Sequence, residues 1–152
     1  MKKMMYASIV CGFLLFTKMS FAAHVVDVNR DLVAAAQKND IKEVQDALKA
    51  GANVNASFGP NITALYWAVA NGDTKIVSLL LEAGADVKAK HEGDLTAFMF
   101  AASMGRVDIV RLLLDRGADI NARDNAGNTA LELAENEQVK KVLCDFIDKL
   151  NS

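Results

Sequence analysis

The chain has 152 residues, 52% apolar and 24% charged, with nine Gly, one Pro and a formal charge of −2, which fits one folded domain and excludes disorder and collagen. Seventeen Lys and Arg against nineteen Asp and Glu leave no basic excess to neutralise phosphates, so no nucleic-acid partner is expected. Twenty-four Ala and a single Pro favour short, closely packed helices over a sheet, and hence an all-α or helix-rich repeat fold.

The N-terminus reads as an address. Met1-Lys2-Lys3 is followed by the apolar run Ile9 to Phe16 and then by Ser20-Phe21-Ala22, the basic, apolar, small-x-small layout of a secretory signal peptide. Cleavage is expected after Ala22, leaving residues 23–152. The apolar run is far shorter than the roughly 20 residues that span a bilayer, and Lys18 closes it, so no stable membrane insertion is expected after cleavage. Ser8-Ile9-Val10 lacks the small residue that a lipoprotein signal places before its cysteine, which sets Cys11 aside. The expected location is periplasmic or secreted. The exported chain carries 14 basic and 19 acidic residues, a net charge of −5, and one cysteine, Cys144. With no intramolecular disulfide to form, its stability must come from packing.

From residue 24 onward the chain repeats itself. Gly51-Ala52-Asn53-Val54-Asn55-Ala56 returns as Gly84-Ala85-Asp86-Val87-Lys88-Ala89 and as Gly117-Ala118-Asp119-Ile120-Asn121-Ala122, with a step of 33 residues each time. Thr63-Ala64-Leu65, Thr96-Ala97-Phe98 and Thr129-Ala130-Leu131 keep that step, as do Ala68, Ala101 and Ala134 after them. The units run approximately 24–56, 57–89, 90–122 and 123–152. Each predicts two antiparallel helices and a turn. The Thr of each motif suits a helix N-cap, and Thr129 with Glu132 makes a capping box. Asn39, Gly72 and Gly105 end the first helix with residues that tolerate positive φ. Val44/Ala47/Leu48, Val77/Leu80/Leu81, Val110/Leu113/Leu114 and Leu143/Phe146/Ile147 then form one apolar stripe per second helix, before Gly51, Gly84 and Gly117 stop it.

This pattern resembles the ankyrin repeat family, whose 33-residue unit is a turn plus two helices, with a T-P-L-H-x-A segment and a later G-A-D-V-N-A segment. The resemblance runs from Asn29 to about Leu150. It implies an all-α solenoid of stacked helix-turn-helix units with projecting turns, and a protein-binding role for its concave surface. Arg30 replaces the capping Thr in the first unit and the last unit lacks its closing Gly, as fits end units with one face in water. Charged Asp31, Lys38, Asp40, Lys42 and Glu43 at one end, and Lys140, Lys141, Asp145, Asp148 and Lys149 at the other, suit the same role. Ala64, Ala97 and Ala130 stand where the family has Pro, and Tyr66, Met99 and Glu132 where it has His, so the family's Thr–His hydrogen bond is not expected. Asn61 and Asp94 replace the turn Gly retained at Gly127, and both residue types visit the left-handed region.

No catalytic or phosphate-binding motif and no metal-spaced cysteine pair occurs, so neither enzyme chemistry nor a cofactor or metal is expected. His24, at the new N-terminus, and His91, in a turn, are expected to be solvated. Cys144 aligns with Gln45, Ser78 and Arg111, which predicts an outward-facing thiol; the chain is expected to be a monomer, with a Cys144-linked dimer as the alternative. Trp67 aligns with Phe100 and Leu133 and is expected in a core ladder. Turn tips and first-helix faces are free of the stacking constraint and form the expected binding surface. Ile62 and Leu95, each before a capping Thr, either staple onto the helix that follows or face out as an apolar strip flanked by Asn71, Ser103, Met104 and Asn136. The expected partner-binding residues are Pro60, Ile62, Asn71, Glu92, Leu95, Met104, Asn125 and Asn128. The function expected is an exported, non-enzymatic module that binds a protein partner; the alternatives are a periplasmic inhibitor or immunity-type protein and a secreted effector.

Overall fold

The computed structural model describes residues 28–59 and 61–152. The signal peptide assigned to residues 1–22, His24 and Pro60 lie outside the described residues. Helices α1 (28–38) and α2 (Ile41–Lys49) form the first unit. A small antiparallel hairpin, β1 (Ser57–Phe58) and β2 (Ile62–Thr63), leads into α3 (Ala64–Asn71) and α4 (Thr74–Glu82). One turn of 3-10 helix (Glu92–Asp94) precedes α5 (Ala97–Ser103) and α6 (Val107–Asp115), and α7 (Ala130–Leu133) and α8 (Glu137–Asn151) close the stack. The first helices α3, α5 and α7 pack on one another in a row, and α2, α4, α6 and α8 form a second row behind them. The all-α repeat architecture expected from the 33-residue period is the architecture observed.

The local chemistry that starts and stops these helices follows the sequence pattern. The Thr63 and Thr96 hydroxyls accept the backbone N–H of Tyr66 at 3.4 Å and of Met99 at 3.3 Å. At Thr129 the box is complete, since the Glu132 carboxylate accepts the Thr129 N–H at 2.7 Å while the Thr129 hydroxyl accepts the Glu132 N–H. Asp40 and Asp73 cap α2 and α4 through their carboxylates. At the far end of α4, Gly84 sits at φ +90°, where its N–H reaches Leu81 O at 3.1 Å and the Ala85 N–H reaches Leu80 O at 2.9 Å. This 5→2 and 6→1 pairing satisfies two carbonyls that the helix end would otherwise leave open. Asn39, Asn61 and Asp94 occupy the left-handed region at φ 61°, 61° and 59°, as their places in the repeat predict.

A single core runs the length of the stack. Val44 and Ala47, Val77, Leu80 and Leu81, and Val110, Leu113 and Leu114 are buried, joined by Val54, Val87 and Ile120 from the segments after the closing glycines. Leu143 is buried too, and Phe146 and Ile147 are half-buried against the same core. Buried Ala64, Ala68, Ala97, Ala101 and Ala102 keep the facing surfaces of the first helices small, which permits close packing between units.

Two details differ from the sequence reading. The period places the end of the fourth unit's first helix at Gln138, 33 residues after Gly105, and Gln has no ready access to positive φ. The chain therefore leaves the helix early, with Ala134 at ψ 120°, and Asn136 caps α8 by accepting the Gln138 and Val139 N–H groups. Asn136 begins the second helix instead of flanking the end of the first. Trp67, expected in a core ladder, is half-buried with Phe100 and Leu133, resting on the core with one side open.

Candidate functional site

The turn tips share a frame and differ in what fills it. Residues 58, 91 and 124 are equivalent by the 33-residue step, and each tip closes with the same backbone pairing: Phe58 opposite Ile62, His91 N–H to Leu95 O at 2.9 Å, Asp124 N–H to Asn128 O at 3.0 Å. Phe58 is 39% exposed. Because it lies directly across the two-stranded pair from half-exposed Ile62, the two side chains share a face and make an apolar tip on the second unit. In the fourth unit Asp124 turns inward on its own loop and accepts the N–H groups of Ala126 at 3.0 Å and Asn128 at 2.8 Å. The Asn128 N–H first of all, with those of Ala126 and Gly127 and the Asn128 side chain, holds the Asp124 carboxyl below its ordinary range.

The third tip corrects the sequence reading. His91 is buried, not solvated, at 7% exposure. Its Nδ1–H donates to the carbonyl of Asn61 at 2.7 Å; the tautomer is assigned from that carbonyl, which can only accept. One ring face meets Tyr66, with centroids 4.4 Å apart. Burial lowers its pKa from 6.5, opposed in part by the bond to Asn61. A turn position alone predicts solvation, but the fate of position 91 is decided by Tyr66 and Asn61 in the preceding unit.

Between the tips and the far ends of the first helices runs a row of half-buried rings. Tyr66 stacks on Phe100 across the unit boundary, with centroids 4.8 Å apart and planes at 26°, and meets Trp67 edge-on at 6.5 Å and 78°. Leu133 continues the row into the fourth unit. Desolvation raises the pKa of Tyr66, which keeps its phenol neutral. Tyr66, Trp67, Phe100 and Phe58 were absent from the residues chosen by sequence; the signal for them was an aromatic where the family motif has His, set beside two aromatics in register.

The chosen residues do not make one cluster. Ile62, Leu95 and Asn128 lie in one register along the tips; Asn71 and Met104 lie in another, about 12 Å away at the opposite ends of the eight- and seven-residue first helices. Met104 is 48% exposed and Glu92 and Asn125 are exposed. Leu95 packs partly against the core, so its side chain has a structural role. Asn71 is engaged within the array, its amide donating to Ala36 O at 2.9 Å and Gln37 O at 3.2 Å of the first unit. The Asn128 amide bonds Asp124, and the Asn125 backbone N–H ties its tip to Gly93 O at 2.9 Å. The surface is thus the aromatic row, edged by Phe58 and Ile62 on one side and Met104 on the other.

Among the described residues no group of three or more His, Cys, Asp or Glu is placed to hold a metal ion, and no helix is long and apolar enough to cross a membrane. The hollow at the start of the stack, about 390 Å³, is an open groove between α1 and α2 lined by Val28, Asp31, Ala34, Lys38, Glu43, Asp46, Ala47 and Ala50. The Cys144 thiol is exposed on α8.

The ankyrin-repeat family model, which describes three copies of the repeat, matches residues 32–124 and again residues 92–151, and the chain belongs to that family. A comparison with curated proteins found no match. Ankyrin repeats are generally protein–protein interaction modules and typically not enzymes.

Proposed function

We propose that this array is an exported, non-enzymatic module that holds one protein partner along its turn tips and first helices. The observation that carries the reading is the half-buried row of Ile62, Tyr66, Trp67 and Phe100, edged by exposed Phe58 and Met104, on an acidic chain. Aromatic and Met side chains on a rigid support are what a protein interface concentrates at its centre, since they offer large contact area for few rotatable bonds. Export rests on the signal-like leader at residues 1–22 and places the partner in the periplasm or outside the cell. The chain acts as a monomer in this reading, and the exposed Cys144 makes a disulfide-linked pair the alternative oligomer.

The test is a cross-linking capture with residues 23–152 in the producer's periplasmic extract, run beside Phe58→Ser/Met104→Ser, both at exposed positions. The expected result is one protein captured stoichiometrically by the parent chain and lost from a variant whose melting temperature is unchanged. Equal capture by both forms would move the interface elsewhere, and no capture there or in host-cell lysate would end the reading. A nanomolar or tighter Kd for a single toxin or enzyme would identify an inhibitor; a value nearer micromolar fits a general scaffold.

A further inference from the structure

We propose that the joint between the second and third units is an acid-sensitive clasp, in which uptake of one proton by His91 loosens the third turn tip from the hairpin of the second unit. The geometry makes His91 the bridge between those units. Its Nδ1–H is bonded to Asn61 of the hairpin at 2.7 Å, its ring lies on Tyr66 of α3, and its backbone N–H closes its own turn on Leu95. The second ring nitrogen, Nε2, is buried and has no hydrogen-bond partner among the described residues. In the neutral ring that atom is a bare lone pair. Protonation turns it into an N–H donor with no acceptor, on a cation taken out of water, and an unpaired buried charge is far more costly than an unpaired acceptor.

The surroundings offer the imidazolium little compensation. Helix α5 and strands β1 and β2 contain no ionisable side chain, and the one on α3 is Tyr66, kept neutral by burial. On His91's own turn, Glu92 is exposed, and Asp94 is exposed and paired with Lys90 at 3.7 Å. The neighbouring fourth-unit turn carries Arg123, which donates to Gly127 O and lies 3.9 Å from Glu132, and Asp124, which is occupied by its own loop. Tyr66 packs on both His91 and Phe100, so release of the imidazole also frees one side of the half-buried aromatic row.

The sign follows from linkage. His91 holds its proton less tightly folded than unfolded, so the unfolded chain binds more protons over the window that opens below pH 6.5. Stability from this joint is complete above that pH and falls with acidification until the folded group itself titrates. One linked proton lowers the folding constant by at most about tenfold per pH unit in that window.

The experiment is urea unfolding of the full-length chain from pH 7.5 to 5, followed by Trp67 fluorescence, for the parent, His91→Asn and His91→Phe, with an NMR titration of both imidazoles in the folded parent. The expected result is a falling urea midpoint below pH 6.5 in the parent, a flatter profile in the variants, and an NMR midpoint for His91 below 6.5 accompanied by shifts at Asn61 and Tyr66. A His91 midpoint at or above 6.5, or the same acid slope in parent and variants, would overturn the proposal. The NMR arm needs no substitution and stands if a variant fails to fold, and neither arm depends on finding a partner.

Discussion

Gly84→Ala and Gly84→Val isolate what backbone conformation alone contributes to this stack. Gly84 lies at φ +90°, and a Cβ built there meets no atom within 4 Å, so added bulk causes no collision. What remains is the steric cost of placing an L-residue in the left-handed region, about 1–2 kcal/mol for Ala and at least as much for β-branched Val. At about 4 °C per kcal/mol for a domain of this size, Gly84→Ala should lower the melting temperature by about 4–8 °C. Gly84→Asn should cost less, because Asn is tolerated there and the chain itself uses Asn39 at φ 61° to end α1. Gly72 provides a comparison. It has a similar φ of +76°, but a Cβ there comes within 2.7 Å of Arg106 Cζ, the far end of a flexible side chain that can swing aside, so Gly72→Ala should cost about as much as Gly84→Ala, and adding Arg106→Ala should recover little. Thermal unfolding followed by Trp67 fluorescence measures all five forms. Unchanged midpoints for both Gly84→Ala and Gly84→Val would show that the helix end does not need a left-handed residue and would refute the argument.

Thr129→Ala removes half of the capping box and should cost about 1 kcal/mol, seen as an earlier thermal midpoint. Glu132 is held below its ordinary pKa by the Thr129 N–H first, then the Thr129 hydroxyl and Arg123, and Asp124 chiefly by the Asn128 N–H; both contributions are therefore present above about pH 4.5 and lost as pH falls through the lowered values. Glu132→Gln should shrink this acid limb in a melting series from pH 5 to 2.5, while leaving unchanged the fall below pH 6.5 that the proposed clasp assigns to His91. Asn71→Ala should destabilise by about 1 kcal/mol in urea unfolding, because it deletes the amide that ties α3 to Ala36 and Gln37 of the first unit. Leu95→Asp should lower the melting temperature and Ile62→Asp should leave it within about 0.5 kcal/mol of parent stability, since only Leu95 packs against the core; equal effects would show that the two equivalent positions do the same work.

The stack was readable from sequence because each unit must present the same surface to its neighbours. Val77, Val110 and Leu143 recur at one step since the same apolar seam has to be filled each time, and Gly51, Gly84 and Gly117 recur since each second helix needs the same exit. Asn61 and Asp94 were readable for the same reason, as left-handed turn residues standing in for Gly127. The failure at α7 was of another kind. The helix pattern was visible, but Gln138 cannot supply the positive φ that Gly105 supplies one step earlier, and the conflict is settled by moving the cap to Asn136.

The candidate surface was less legible because it lies where the repeat is broken. Positions 58, 91 and 124 are equivalent by spacing, yet an exposed Phe, a buried His and a loop-closing Asp occupy them. Averaging over units hides such differences: contacts from the preceding unit, Tyr66 and Asn61, decide His91, bonds within its own loop decide Asp124, and Phe58 has no comparable cover. The aromatic row has the same origin. The family motif places a His where this chain has Tyr66, and the array regains an imidazole at His91, bonded across the unit boundary instead of to the capping Thr. That exchange leaves a ring stack open to a partner on one side and joined to a titratable group on the other. Binding along the row and proton uptake at the clasp therefore act on the same side chain, Tyr66. A partner that packs on Tyr66 only when it is stacked should favour the closed clasp and, by linkage, lower the pH at which His91 takes up its proton. An NMR midpoint for His91 that is unmoved by saturating partner would separate the two properties and leave the clasp as a device of the scaffold alone.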